Sequence, residues 1–170
     1  MNEQDMSFQV GDQVIHWVHG LGEIIQLDEK VLSGNTGQYY VVQIRDLKLW
    51  VPISQSGERG LRTLTPADDF QKLFEILASP GESLTTNVLE RKTQLSDRLK
   101  DGSLESICRV VRDLVYYKQT NKFNENDKSI LERARNSLLN EWSIVLSVSV
   151  HQADHQLQEL LGAGVLATKS

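Results

Sequence analysis

The hydrophobic period of this chain changes near residue 65, and no single layer of secondary structure satisfies both sides of the change. Before it, β-branched, aromatic and aliphatic residues come in short runs at 14–18, 22–27, 39–44 and 48–52, which read as strands. His19-Gly20, the stretch Ser33-Gly34-Asn35-Thr36-Gly37, and Arg45-Asp46 separate these runs with turn chemistry. Strands this short must close or cover their edges, so a small antiparallel barrel is the economical arrangement.

After residue 65 the spacing is helical. Thr65-Pro66-Ala67-Asp68 offers a cap, a proline at the first helical position and an early acid, ahead of Phe70, Leu73, Phe74 and Leu77 on one face. Pro80-Gly81 ends that helix. A second is expected over 87–100, stopped by Asp101-Gly102. Ser103 caps a third, in which Leu104, Ile107, Cys108, Val111, Leu114 and Val115 form a buried stripe. Asn124 opens a long fourth with Ile130, Leu131, Ala134, Leu138, Trp142, Val145 and Leu146 inward, and 154–161 reads as a short fifth. The chain is thus an α+β, multidomain one. The expected divisions are 1–66 for the barrel with its linker, 67–162 for an all-α domain of about five helices, and 163–170 for a fraying tail.

Several chemistries are disfavoured. Net charge is −5 and acidic residues outnumber basic ones on both sides of Pro66, so neither part holds nucleic acid by bulk electrostatics. No apolar run reaches the roughly 18 residues of a membrane span, and the polar start lacks the pattern of a signal peptide, which favours the cytoplasm. Cys108 is the one cysteine, so it forms no internal disulfide and reads as a buried thiol. His16 and His19 would share a helix face, but along a strand they point to opposite faces, so a metal is not expected. Gly20-Leu21-Gly22 lacks the third glycine and following helix of a dinucleotide loop, and reads instead as a backbone device for bending between two strands. No nucleophile motif, carboxylate pair in a cleft or phosphate loop is legible, so neither enzymatic activity, cofactor nor small-molecule substrate is expected.

Phe8-Gln9-Val10-Gly11-Asp12-Gln13-Val14-Ile15, His19-Gly20-Leu21-Gly22-Glu23-Ile24, Tyr39-Tyr40-Val41-Val42, Val51-Pro52 and Gly60-Leu61-Arg62 resemble the CarD and CdnL family of bacterial transcription regulators. Lys100-Asp101-Gly102-Ser103, Val110-Val111-Arg112-Asp113-Leu114 and Ile130-Leu131-Glu132-Arg133-Ala134-Arg135 extend the resemblance into the helical part. The barrel pieces also resemble the polymerase-interacting domain of transcription-repair coupling factors. The resemblance implies a Tudor/SH3-like barrel that binds the β subunit of RNA polymerase, and a helical domain that reaches promoter DNA at the upstream edge of the melted bubble. There a family tryptophan wedges into the minor groove.

This chain departs at that wedge. The family pattern of threonine, asparagine and tryptophan followed by basic residues is here Thr86-Asn87-Val88-Leu89-Glu90-Arg91-Lys92. Valine offers far less stacking surface than an indole, and Glu90 brings a negative charge. Asn87, Val88, Arg91 and Lys92 are the candidate DNA contacts, the last two to phosphate or else on a solvated helix face. For the polymerase, the candidates are Ile25, Leu27, Lys30, Lys48 and Trp50, with Arg45 near the same strand ends. With Val51 inward, Trp50 points outward as an interface anchor; the opposite parity makes Trp50 core and leaves Trp17 outside. The leading expectation is a regulator of open-complex formation with weakened minor-groove contact. The alternatives are an adaptor on polymerase that has lost DNA contact, and a single-strand RNA binder, which lacks the basic groove such proteins use.

Overall fold

The computed structural model describes residues 8–16, 18–53 and 60–169, and the chain divides into two compact units, Met1–Leu64 and Thr65–Ser170. Among the described residues the first unit holds β1 (Gln13–His16), β2 (Gly20–Leu32), β3 (Asn35–Ile44), β4 (Leu47–Pro52) and β5 (Leu61–Arg62). All pair antiparallel, in the order β4-β3-β2-β1-β5. Val51 from one terminal strand and Leu61 from the other join Val14, Ile24, Tyr40, Val42 and Ile44 in one core, so the sheet wraps around it as a Tudor-like domain does. Each such side chain contributes about 1.5–3 kcal/mol by leaving water.

The stretch expected to be a five-residue turn at 33–37 is a two-residue turn. Ser33 and Gly34 take φ of 54° and 80°, both in the left-handed region, so the turn follows the right-handed twist of the ribbon and Leu32 pairs directly with Asn35. The earlier glycine pair has two separate tasks. Gly20 turns the chain with φ of 86°. Gly22 admits the neighbouring strand, because a Cβ there would stand 2.5 Å from Ile44 Cγ1 and 2.7 Å from Val42 Cγ1.

The second unit is α1 (Phe70–Ala78), α2 (Val88–Leu99), α3 (Leu104–Thr120), α4 (Glu125–Leu146) and α5 (Val150–Lys169), with a 3-10 turn at Ala67–Asp69. Asn87, Ser103 and Asn124 cap α2, α3 and α4 through their side chains. Thr65 does not cap; its N–H donates to Glu141 Oε2 at 2.7 Å. Phe70, Leu77, Leu104, Cys108, Leu138, Trp142 and Leu157 form one core, and Leu95, Val110, Val111, Leu114 and Tyr117 belong to another. Burial pushes the Cys108 thiol up to about 12. The last helix is much longer than the expected 154–161, and the segment composition reads as a tail is helical to Lys169. Leu157, Leu160 and Leu161 anchor it on the core, and Gly164 lets it approach Ser79, where a Cβ would lie 2.6 Å from the carbonyl oxygen. No helix among the described residues is long and apolar enough to cross a membrane.

Candidate functional site

Strand parity places Trp50 on the outer face of the sheet. It pairs with Val41, while Val51, facing the core, pairs with Tyr40. Trp50 is 41% exposed, yet it is held. Its Nε1 donates to Asp28 Oδ2 at 3.0 Å, and Lys30 Nζ lies 4.0 Å from the ring centroid. Such a contact contributes about 0.5–1 kcal/mol at an exposed site. The indole N–H, followed by the Glu29 amide, holds the Asp28 carboxyl below its ordinary value. Trp17, its rival for the outer position, lies outside the described residues.

The five candidates on this unit do not make one surface. A bulge between Ile24 and Gln26 sets Ile25 and Gln26 together against Val41, on the face of Trp50 and Lys30. Lys48, opposite Gln43 on β4, shares that face. Leu27 does not: it pairs with the core residue Tyr40, so it lies on the other face, 52% exposed. Arg45 sits in the turn at the far end of β3 from the Lys30–Gly37 pair. Beside Trp50, β4 pairs only with β3 among the described residues and so presents a sheet edge. Asp28 was missed, although its spacing of two from Lys30 on one strand carries the signal.

The second candidate site is the start of α2. Val88 and Leu89 are 55% and 75% exposed, in the first turn. Asn87 Oδ1 accepts from the Glu90 N–H at 3.0 Å, and Thr85 Oγ1 donates to Glu90 Oε2 at 3.2 Å, which turns that carboxylate back along the segment. Lys92 is exposed. Arg91 corrects the expectation of a phosphate contact. It lies four residues before the core residue Leu95, on the inward stripe, and is 2% exposed. Its Nε and Nη2 donate to Asp127 Oδ1 and Oδ2 at 2.8 and 2.9 Å, and its Nη1 to the carbonyls of Thr85 and Thr86. Leu89 escaped the sequence reading, although an apolar residue six before Leu95 falls off the buried stripe.

The histidines also require a correction. β1 ends at His16 and the chain turns, so parity no longer separates them and their rings lie 5.2 Å apart. His16 Nδ1 accepts from the backbone N–H groups of Val18 and His19 at 3.1 and 3.2 Å, a structural task. Among the described residues no group of three or more His, Cys, Asp or Glu is placed to hold a metal ion. Burial, then the charge of His19, lowers the His16 pKa. The unfolded chain therefore binds the proton more readily. The contribution of His16 is complete above about pH 6.5 and is lost as pH falls through its lower folded value. Unfolding midpoints measured between pH 7.5 and 4.5 are expected to fall more steeply for the parent than for His16→Gln. Superimposable profiles would dismiss the effect.

Two family comparisons cover these units separately. Residues 8–65 match the CarD-like/TRCF RID domain, and residues 72–158 match the CarD C-terminal domain. The chain is also 26% identical over 148 residues to a Bacillus subtilis (strain 168) protein named "Putative transcription factor YdeB", covering 85% of this chain and 96% of that one.

Proposed function

The chain belongs to the CarD family, and from that membership we propose that it regulates transcription by binding bacterial RNA polymerase through its sheet unit. In this reading it is a cytoplasmic non-enzyme. Its partner is the polymerase β subunit, met by the outer sheet face of Ile25, Lys30, Lys48 and Trp50 and the neighbouring β4 edge. Leu27, on the opposite face, is left out of that surface. The observation that carries the reading is Trp50, an exposed indole pinned by Asp28 and Lys30 on the unit that matches the RID domain. A pre-ordered aromatic loses little side-chain freedom on docking, as an interface anchor requires.

The helical unit, in the same reading, touches promoter DNA at the upstream edge of the bubble through the tip of Asn87, Val88 and Leu89, with Lys92 near phosphate. Minor-groove contact is weak because an aliphatic tip stacks poorly. An open-complex lifetime assay with cognate polymerase tests this. A base stacked on an aromatic is worth about 1–3 kcal/mol, so Val88→Trp is expected to lengthen the lifetime roughly five- to a hundredfold. An unchanged lifetime with polymerase binding intact would remove DNA from the proposal. The adaptor reading would then stand, and one observation favours it: with Arg91 buried, the exposed charges left at the tip are Glu90 and Lys92, which cancel, so the tip has little net positive charge.

A further inference from the structure

The tip of α2 is held more firmly than capping a helix requires. Arg91 and Asp127 lie 36 residues apart in sequence, and their side chains are 3% and 1% exposed. The guanidinium joins two things at once. Nε and Nη2 grip the Asp127 carboxylate, while Nη1 reaches the carbonyls of Thr85 at 3.1 Å and Thr86 at 3.3 Å, and the group lies 4.6 Å from the ring centroid of Tyr117. Asp127 is itself fixed. Its Oδ2 also accepts from the Asn124 N–H at 3.0 Å and its N–H donates to Asn124 Oδ1 at 2.8 Å, closing the capping box of α4. The turn before α2 is thereby tied, through one side chain, to the start of α4.

Stability alone does not call for this arrangement. Two apolar side chains of similar volume would seal the seam about as well, since a buried ion pair gains little over a hydrophobic substitute. What they would not supply is a planar fork that bonds a carboxylate on one side and backbone carbonyls on the other. We infer that Arg91 and Asp127 are positioning residues, whose task is to fix the Thr85–Thr86 backbone so that Val88 and Leu89 project as a rigid apolar tip. That the tip meets promoter DNA rests on the function proposed above; the clamp itself does not.

Two variants test the clamp in the full-length protein. Arg91→Met combined with Asp127→Leu replaces the pair by apolar groups. Arg91→Lys keeps a cation near Asp127 without the fork. In both, the amides of Asn87 and Glu90, bonded to Thr85 Oγ1 and Asn87 Oδ1, are expected to exchange with solvent at least tenfold faster. The core amides of α3 and α4 keep their protection, and the open-complex lifetime falls to that of Leu89→Glu. Unchanged exchange at Asn87 and Glu90 would overturn the inference. So would exchange that accelerates throughout the unit together with early melting in both variants, because the pair would then only hold the fold. If the tip amides alone accelerate while the lifetime is indifferent to both variants and to Leu89→Glu, the clamp is supported and the DNA reading fails.

Discussion

Asp127→Ala is expected to destabilise the helical unit by about 3–5 kcal/mol, because removing one partner of a buried pair leaves the other charge without compensation. Arg91 would keep its two carbonyl contacts but lose both bonds to the carboxylate, in a site where it is 2% exposed. The α4 capping box goes with the same side chain. Urea unfolding followed by far-ultraviolet circular dichroism reads the loss, with the two units fitted separately. A change under about 1 kcal/mol would show that the pair is poorly coupled to the fold.

The same residue fixes the direction of the acid response. Burial, the largest influence on Asp127, pushes its pKa up, but the bonds from Arg91 and the Asn124 N–H together outweigh it and leave the value lowered. A carboxyl whose folded value lies below the unfolded one stabilises the fold above the unfolded value, about pH 4, and loses that contribution as pH falls through the folded value. The helical unit is therefore expected to lose stability on the acid side of pH 4, and Asp127→Ala to be less steep there.

In the docking proposed above, Trp50→Ala is expected to weaken binding to the polymerase β subunit by about 2–4 kcal/mol, some thirtyfold to nearly a thousandfold in Kd. The indole is ordered in the free protein by Asp28 and Lys30, so truncation removes an anchor that docking need not organise. Unfolding of the sheet unit should change little, since Trp50 is absent from its core, although Val41 beneath it is buried. Lys48→Glu on the same face is expected to act mainly on the association rate and its salt dependence, as charges at an interface rim do. A Kd for Trp50→Ala within threefold of the parent, by calorimetry or surface capture, would place the docking surface elsewhere.

Much of the fold was legible because its signals are local. The change of period near residue 65 separates the two units, and alternation about Val51 sets Trp50 outward. The caps at Asn87, Ser103 and Asn124 each act on an amide three residues on. The site was less legible. One extra residue, Ile25, reverses the alternation beyond it and sends Leu27 to the face opposite Trp50, and a register shift is decided by the partner strand. His16 and His19 were separated by a strand rule that ends where the strand does.

The sequence by itself determined where strands give way to helices, which helix faces are apolar and where the second, third and fourth helices begin, since period and capping operate within a turn or two of chain. Only the tertiary structure decided that Arg91 faces Asp127 rather than a phosphate. That choice depends on packing α2 against the start of α4, 36 residues away, where a buried guanidinium must find a carboxylate and no residue near it in the chain says so.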